Sequence, residues 1–453
     1  EDFAELAAEA PKRRFTVGIV DDVTGLSLDV DRSFQLPRLD RDLAAIFHGL
    51  GSDGTVWAAK NTTKILAEGL GRYSQAYFVY DSKKSGAVTA SHLRVSEEPI
   101  DSTYLVEQAD FIGVHQFGLL EKLEVLREAK QGGIVLLNSP FPAEEVWDRL
   151  PRDVQEIVLE RDLELHVIDG HGIARSVGLG GRINTVMQTA FFLVSGILPY
   201  DEALEAIRDA VRKSYGDFGE KVVAKNLDAV EAATEAIHRG EIPGEVTSQL
   251  HRADPIDRAL ELLPLDRDDV PGFVERVTAR LLAGEGELLP VSALPVDGAF
   301  PTGTARFEKR SIALEIPTWD PDICISCGKC AIVCPHAAIQ IKVFEEEALD
   351  DTPDTFLSRP FKDRDLEGMH LTVQVAPDDC TGCGVCVETC PAVSRSDVGH
   401  KSIDMTPIDE LVGGNGDGAS DGSQTVQELE RERFTAFQAI PYPDRTDIRH
   451  DTV

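Results

Sequence analysis

The sequence predicts three consecutive parts: an α/β domain built on a parallel sheet, a small irregular connecting domain, and a compact α+β module. Three observations support this division. Strand-like apolar runs alternate with helix-like runs through the first half of the chain. Prolines and glycines then accumulate, and the periodicity weakens, across residues 241–317. All eight cysteines of the 453-residue chain fall between Cys324 and Cys390.

The α/β prediction depends on the order of the apolar runs. Leu43–Leu50 has the composition of a strand, and a helical pattern follows it over residues 55–70. Further strands are predicted at residues 76–80, 110–115, 134–138 and 165–169, with helices at 119–130 and 143–159. A charged helical segment, residues 201–239, closes the domain. Such alternation is typical of a mainly parallel sheet covered by helices.

A glycine-rich turn joins the first predicted strand to the first predicted helix. It contains Gly51, Ser52, Asp53, Gly54 and Thr55. A turn at this position can bind phosphate, because its backbone N–H groups and the helix N-terminus face an anion. An ordinary turn is the alternative, and the sequence leaves both interpretations open. No acidic residue stands where a ribose-binding partner of NAD would be expected.

The cysteines form two copies of the pattern C-x2-C-x2-C-x3-C-P. The first copy contains Cys324, Cys327, Cys330 and Cys334, and the second contains Cys380, Cys383, Cys386 and Cys390. This is the bacterial pattern for two 4Fe–4S clusters, in which the fourth cysteine of each copy binds the other cluster. One cluster is therefore predicted on the first three cysteines and Cys390, and the other on Cys334 and the three cysteines that begin the second copy.

The cysteine module is predicted to be bacterial-ferredoxin-like, with an acidic insertion at residues 345–368. Zinc is one alternative, but a zinc site has no use for the third cysteine of each copy, the trailing proline or the duplication. Disulfides are another alternative. Residues 1–14 lack the apolar core of a secretory signal peptide, and clusters of this kind suit a reducing cytoplasm.

The net charge of −34 argues against nucleic acid as a partner. No apolar run approaches the roughly 20 residues that a membrane span needs. An acidic electron carrier would be repelled by a chain of this charge. Either a local basic patch or a high salt concentration is therefore needed for docking.

The ordered motifs resemble the middle of pyruvate:ferredoxin (flavodoxin) oxidoreductases. The matching segments are Phe15-Thr16-Val17-Gly18-Ile19, Asp21-Asp22-Val23-Thr24, the glycine turn from Gly49 to Val56, Asp81-Ser82-Lys83-Lys84-Ser85-Gly86, Glu308-Lys309-Arg310 and both cysteine copies. Val20 departs from the family pattern, which has asparagine there. A two-cluster motif alone occurs in many enzymes, whereas the ordered set is specific.

The resemblance implies a domain order. Residues 1–30 resemble the tail of a transketolase-C-like domain, and residues 38–240 resemble the gamma domain, which binds coenzyme A. Residues 241–318 correspond to a connecting domain and residues 319–409 to the two-cluster ferredoxin-like domain. Residues 410–453 would then be a linker toward a thiamine-diphosphate domain. The coenzyme A contacts implied are residues 51–55 together with Lys83, Asn184 and Asn226.

The resemblance also implies an activity. In such enzymes pyruvate is decarboxylated oxidatively to acetyl-coenzyme A and CO2, and electrons pass through the clusters to ferredoxin or flavodoxin. Thiamine diphosphate and Mg²⁺ would be bound by other domains of a homodimeric enzyme, so this chain alone is expected to be inactive. It would be an interior fragment or a split subunit. A stand-alone electron-transfer module and an oxidoreductase for another 2-oxoacid are the alternatives.

Overall fold

The computed structural model describes residues 11–30, 43–51, 53–69, 71–80, 88–101, 103–252, 256–257, 260, 267–309, 311–362, 366–397, 399–412 and 424–442. These residues divide into two compact units, before and after residue 309. Among them, no helix is long and apolar enough to cross a membrane.

The first unit is built on a seven-stranded mixed sheet. Its strands are β3 (Leu43–Leu50), β4 (Tyr73–Tyr80), β5 (Val88–Ser96), β6 (Ala109–Val114), β7 (Ala129–Asn138), β8 (Glu164–Ile168) and β9 (His238–Arg239), in the order β4-β5-β3-β6-β7-β8-β9. A separate parallel pair precedes it, β1 (Thr16–Val17) with β2 (Ser27–Leu28). The pairs β3–β6, β6–β7 and β7–β8 are parallel. The remaining three pairs are antiparallel. The parallel arrangement that the sequence predicts is therefore found in the four central strands of this sheet, β3, β6, β7 and β8.

Two sequence predictions fail in this unit. Residues 119–130 are not a helix: one 3-10 turn, Phe117–Leu119, is followed by further turns until β7 begins. The apolar side chains of this segment, including Leu120 and Leu126, are buried by tertiary packing, although the segment is not helical. Residues 143–159 form two helices, because Pro151 disfavours helical backbone at Leu150, whose ψ is 141°.

The helices of the first unit are α1 (Thr55–Lys64), α2 (Ala143–Arg149), α3 (Arg152–Glu160), α4 (Gly170–Ser176), α5 (Asn184–Val194), α6 (Tyr200–Tyr215) and α7 (Glu220–Ala236). One π turn, Ile65–Gly69, extends α1. Helix α5 is largely buried and apolar, and its Phe191 contacts the rings of Phe47 and Phe111 at centroid distances of 5.1 and 5.0 Å. Gln188 of α5 also donates hydrogen bonds to the Ala58 carbonyl and the Thr62 hydroxyl of α1. Helix α5 therefore holds α1 against the sheet.

The connecting segment is irregular, as the sequence predicts. It contains the 3-10 turns Arg267–Asp269, Gly286–Leu288, Val291–Ala293 and Thr304–Phe307, a π turn at Val274–Thr278 and the short helix α8 (Ala279–Leu282). A small core of Ile256, Val270, Val274, Ala279 and Phe307 holds it together. The second unit begins before the predicted limit at residue 319, since its first strand includes Glu315.

The second unit contains two small antiparallel sheets around the cysteines. Strand β10 (Glu315–Trp319) pairs with β14 (Ile403–Pro407), while β11 (Ile339–Glu345), β12 (Arg359–Pro360) and β13 (Met369–Val375) pair in the order β11-β13-β12. Short helices α9 (Lys329–Val333) and α10 (Val385–Thr389) follow the cysteine loops. The predicted insertion supplies β12 and a 3-10 segment, Glu346–Asp351.

The C-terminal segment differs from the predicted linker. Strands β15 (Leu411–Val412) and β16 (Gln424–Thr425) pair with each other. Helix α11 (Val426–Ala439) follows and begins with a capping box between Thr425 and Glu428. Residues 413–423, the glycine-rich part of the predicted linker, lie outside the described residues. The sequence analysis missed α11 because its composition is mostly polar.

A buried lysine holds the end of α11. Lys342 is 4% exposed, and its Nζ donates hydrogen bonds to the carbonyl oxygens of Phe437 and Ile440 at 2.7 and 2.6 Å. The same ammonium lies 4.4 Å from the Phe437 ring centre and 4.7 Å from that of Tyr442. A cation at a helix C-terminus satisfies the last carbonyls and favours the helix dipole.

Replacing Lys342 with methionine should loosen α11, because two buried carbonyls lose their donor. The expected cost is about 2 kcal/mol, which makes amide exchange in Val426–Ala439 about 30-fold faster. Hydrogen–deuterium exchange of the cluster-loaded chain measures this. Lys362→Met, at an exposed position, is the control. Equal exchange in both variants would contradict the capping role.

Candidate functional site

The two cysteine loops have the same local structure. Each C-x2-C-x2-C segment bends through a residue with positive φ, Ser326 at 58° and Gly382 at 70°. The backbone N–H of each of these residues donates to the preceding cysteine Sγ, that of Cys324 or Cys380, at 3.4 Å. Gly328 and Gly384, also with positive φ, then start the short helices. The duplicated sequence is therefore a duplicated structure.

Tertiary packing brings cysteines of both copies around each of two cavities. The first cavity is lined by Cys324, Cys327, Cys330 and Cys390, and the second by Cys334, Cys380, Cys383 and Cys386. The cavities are of similar size, about 430 and 350 Å³ including their openings. Each group of three cysteines is completed by the fourth cysteine of the other copy, which is the grouping that the sequence predicts.

Beyond the sulfur atoms, the cavity walls are mainly apolar. Trp319, Ile341, Leu371, Val373 and Ile403 line the first cavity, and Pro317, Ala338, Ile339 and Met405 line the second. Among the described residues, no three His, Cys, Asp or Glu side chains converge on a point that would hold a single metal ion. Four thiols spread around a cavity fit a 4Fe–4S cluster, in which each cysteine binds a different iron.

Burial raises the thiol pKa values in both cavities. It raises the pKa of Cys330 and of Cys380 to about 11, and that of Cys386 to about 12, with neighbouring cysteines adding to the effect. Thiols of this kind stay protonated in the absence of metal, since a buried thiolate loses its hydration and has no positive charge beside it. Iron would supply the positive charge that stabilises the thiolate form.

A histidine clamp lies at the edge of the first cavity. His400 lies between two carboxylates, with Nδ1 2.7 Å from Asp404 Oδ2 and Nε2 2.8 Å from Asp320 Oδ2. Asp320 and Ser402 also exchange hydrogen bonds, and Ser402 lines the cavity. The hydrogen bonds to Asp320 and Asp404 raise the pKa of His400. The clamp therefore joins the end of β10 to the start of β14.

The glycine turn of the first unit is organised by Asp53. Its carboxylate accepts hydrogen bonds from the N–H groups of Leu50 at 2.7 Å and Thr55 at 2.8 Å. A Cβ on Gly49 would lie 2.1 Å from Thr55 Oγ1, so a glycine is required there. Asp53 thus uses the Thr55 N–H, one of the groups predicted to face phosphate, and places a negative charge in the turn.

The structure brings two of the predicted coenzyme A contacts together. Gly54 has a φ of 93°, and a Cβ built on it would lie 2.9 Å from the Cβ of Asn184, the first residue of α5. Asn184 Nδ2 donates to the Tyr215 hydroxyl at 2.8 Å. Asn226 is buried and accepts from Thr185 Oγ1 at 2.7 Å, which joins α7 to α5.

Two further predicted contacts belong to segments at the same edge of the sheet. Ser52 and Lys83 lie outside the described residues. The strands that flank residues 81–87 end at the same edge of the sheet as the glycine turn, because Val88 pairs with Leu50 and Tyr80 with Thr89. The roles of residues 51–55, Lys83, Asn184 and Asn226 in binding therefore remain predictions.

A buried polar network at this edge was missed by the sequence analysis. Thr55 Oγ1 lies 2.7 Å from His115 Nδ1, and Asn138 Nδ2 donates to the His115 carbonyl at 2.9 Å. Asn138 Oδ1 accepts from the Gly170 N–H at 2.8 Å. Burial lowers the pKa of His115 to about 4, so its imidazole is neutral. The sequence signal was a polar residue at the carboxyl end of two central strands, His115 directly after β6 and Asn138 at the end of β7.

Comparison with known families finds matches in both units. The pyruvate ferredoxin/flavodoxin oxidoreductase domain matches residues 44–236, and a 4Fe-4S dicluster domain matches residues 316–393. A domain of unknown function, EKR, matches residues 260–313. Along the chain, the three matches correspond to the α/β sheet region, the connecting segment and the cysteine module, in that order.

Relatives match along nearly the whole chain. The pyruvate-flavodoxin oxidoreductase of Nostoc is 46% identical over 99% of this chain, which covers 36% of the relative. A probable pyruvate-flavodoxin oxidoreductase of Escherichia coli is 48% identical over 98% of this chain and 36% of the relative. The pyruvate:ferredoxin oxidoreductase of Moorella thermoacetica is 42% identical over 90% of this chain and 34% of the relative. The chain thus spans about a third of their length.

The histidine clamp should depend on pH. The part of its contribution to stability that comes from protonated His400 is complete below about pH 6.5, the ordinary histidine value, and is lost as pH rises through the raised pKa of His400. At low pH the clamp weakens again. Burial raises the Asp320 pKa, but the hydrogen bond from His400 and other bonds outweigh this and lower it overall. The clamp therefore weakens as pH falls through that lowered value.

His400→Gln tests the clamp. Amide exchange in Ile403–Pro407 of the cluster-loaded chain should be faster in the variant at pH 6, and the difference from wild type should shrink by pH 9. His251→Gln, at an exposed position in the first unit, is the control. A difference that is constant over this range would show that His400 acts only by packing.

Proposed function

Because this chain belongs to the pyruvate ferredoxin/flavodoxin oxidoreductase family, we propose that it is the electron-relay and coenzyme-A-binding portion of such an enzyme. The observation that carries the relay is the grouping of eight cysteines, four around each cavity, with the fourth cysteine exchanged between copies. A stand-alone relay would not need the α/β unit, which matches the oxidoreductase domain of the family.

The proposed ligands of one cluster are Cys324, Cys327, Cys330 and Cys390, and those of the other are Cys334, Cys380, Cys383 and Cys386. The clusters would supply one-electron transfer, while the chain supplies position, apolar burial and hydrogen bonds to sulfur. The N–H groups of Ser326 and Gly382 donate to cysteine sulfur and so favour the thiolate. Ferredoxin or flavodoxin is the proposed acceptor.

The proposed coenzyme A site is the sheet edge at the glycine turn. Gly54 and Asn184 adjoin there, at the N-termini of α1 and α5, and the partial positive charge of these helix ends favours a phosphate. Asp53 opposes an anion at the turn itself. Lys83 is proposed to offset that charge, because the strands flanking its segment end at this edge.

The chemistry at the 2-oxoacid is proposed to lie outside this chain. Thiamine diphosphate and Mg²⁺ would be bound by other domains of a homodimeric cytoplasmic enzyme, with pyruvate as the substrate. The names of the relatives favour pyruvate over other 2-oxoacids. The electrons released there would pass through the two clusters one at a time.

Iron content and cysteine variants test the relay. The anaerobically reconstituted chain should bind about eight irons and show two reducible clusters by low-temperature EPR. Cys390→Ser should damage the cluster of the first cavity, and Cys334→Ser that of the second. The assignment would be contradicted by four irons or stoichiometric zinc in the wild type. It would also be contradicted if Cys390→Ser damaged the cluster of the second cavity, or Cys334→Ser that of the first.

Calorimetric titration of coenzyme A into the complete enzyme tests the second site. Lys83→Ala should weaken binding roughly 10- to 150-fold, because one charge-assisted contact is lost. Lys64→Ala, an exposed lysine in the last turn of α1, is the control and should bind as wild type does. Equal affinity for coenzyme A in wild type and both variants would contradict the proposed site, and the glycine turn would then have a structural role only.

A further inference from the structure

The insertion between the cysteine copies brings an arginine to the first cysteine loop. Arg359 Nη1 donates to the carbonyl oxygen of Pro321 at 2.8 Å and also to that of Cys324. Arg359 is half-buried. Within the described part of the chain, its guanidinium contacts these two carbonyls and no carboxylate.

The backbone of Arg359 is fixed by the sheet. Strand β12 pairs with β13 so that Arg359 lies opposite Leu371, which lines the first cavity. Two buried side chains, Thr372 and Gln374, donate to the Leu357 carbonyl at 2.7 and 3.2 Å. The insertion is thereby held in place two residues before Arg359. Its guanidinium approaches the Cys324 loop from a rigid support.

The second cysteine loop is held differently. The segments before the two loops have the same spacing, with Pro321 three residues before Cys324 and Pro377 three residues before Cys380. Before Cys380, however, Asp378 accepts two hydrogen bonds from Arg431 at 2.9 Å, and Asp379 pairs with Lys309 at 2.7 Å. Those cations are matched by carboxylates, whereas Arg359 meets neutral carbonyls.

We propose that Arg359 is a positioning residue for the cluster of the first cavity, holding the Cys324 loop and favouring the reduced state of that cluster by its positive charge. A cation near a cluster stabilises the added electron, and hydrogen bonds to the loop fix the cysteine geometry. Lys329 lies within this loop, and the carboxylates of Asp320, Asp322 and Asp404 adjoin it together with His400. None of these charges is changed when Arg359 is replaced. The inference rests on the proposed cluster ligands.

The test uses the cluster-loaded chain under anaerobic conditions. Arg359→Gln removes the charge and the Nη1 donor shared by the two carbonyls. Arg359→Lys keeps the charge, and Lys362→Gln removes a positive charge from an exposed position of the same insertion. Three measurements are made on each: iron content, hydrogen–deuterium exchange of residues 323–330 and 379–386, and an EPR-monitored redox titration.

In Arg359→Gln, exchange of residues 323–330 should be about tenfold faster, with residues 379–386 unchanged. One cluster should show a ratio of reduced to oxidised forms about tenfold lower at a given potential, equivalent to 59 mV for a one-electron couple. Arg359→Lys should restore most of the potential but not the slow exchange. Loss of about four irons in Arg359→Gln, with normal iron in Arg359→Lys, also supports the positioning role.

Three outcomes would overturn the proposal: unchanged exchange and potentials in Arg359→Gln, equal shifts of both clusters, or the same shift in Lys362→Gln. A wild-type chain without about eight irons would instead contradict the proposed ligands. The two failures are therefore distinguishable.

Discussion

The second unit depends on the exchange of the fourth cysteine between the two copies. Cys390 completes the wall of the first cavity and Cys334 that of the second. Neither copy can enclose a cavity with its own cysteines alone, so the two copies must pack against each other. The short helices α9 and α10, which follow the two loops, are in contact. The common apolar core around the cysteines follows from this requirement. Clusters bound in these two cavities would therefore be held within one small unit.

Four cations of this unit are bound by groups of the unit itself. Lys309 and Arg431 pair with Asp379 and Asp378, Lys342 caps a helix, and Arg359 reaches the first cysteine loop. These four cations are engaged with the protein itself and do not form a basic patch for an acidic carrier. Docking of an acidic carrier on a chain with a net charge of −34 would still need screening by salt or a basic patch formed by other residues.

At the sheet edge of the first unit, groups that could bind an anion are also used in hydrogen bonds within the protein. Asp53 organises the glycine turn through two backbone N–H groups, and Thr55 is held by a neutral, buried His115. Such internal bonds make the turn rigid before any ligand binds, which reduces the entropy lost on binding. The same carboxylate repels phosphate, so a binding function needs a cation such as that proposed at Lys83.

Sequence alone was enough to predict the two cysteine loops, the strand Leu43–Leu50 and the glycine turn, because each depends on residues close together in the chain. Spacing of cysteines and glycines is local information. Tertiary structure decided the antiparallel strand β5, the turns at residues 119–130 and helix α11, where burial outweighs local pattern. It also decided the contacts of Asp53, His115, His400 and Arg359. Each of them joins segments or fixes a turn by hydrogen bonds whose partners appear only when the chain is folded.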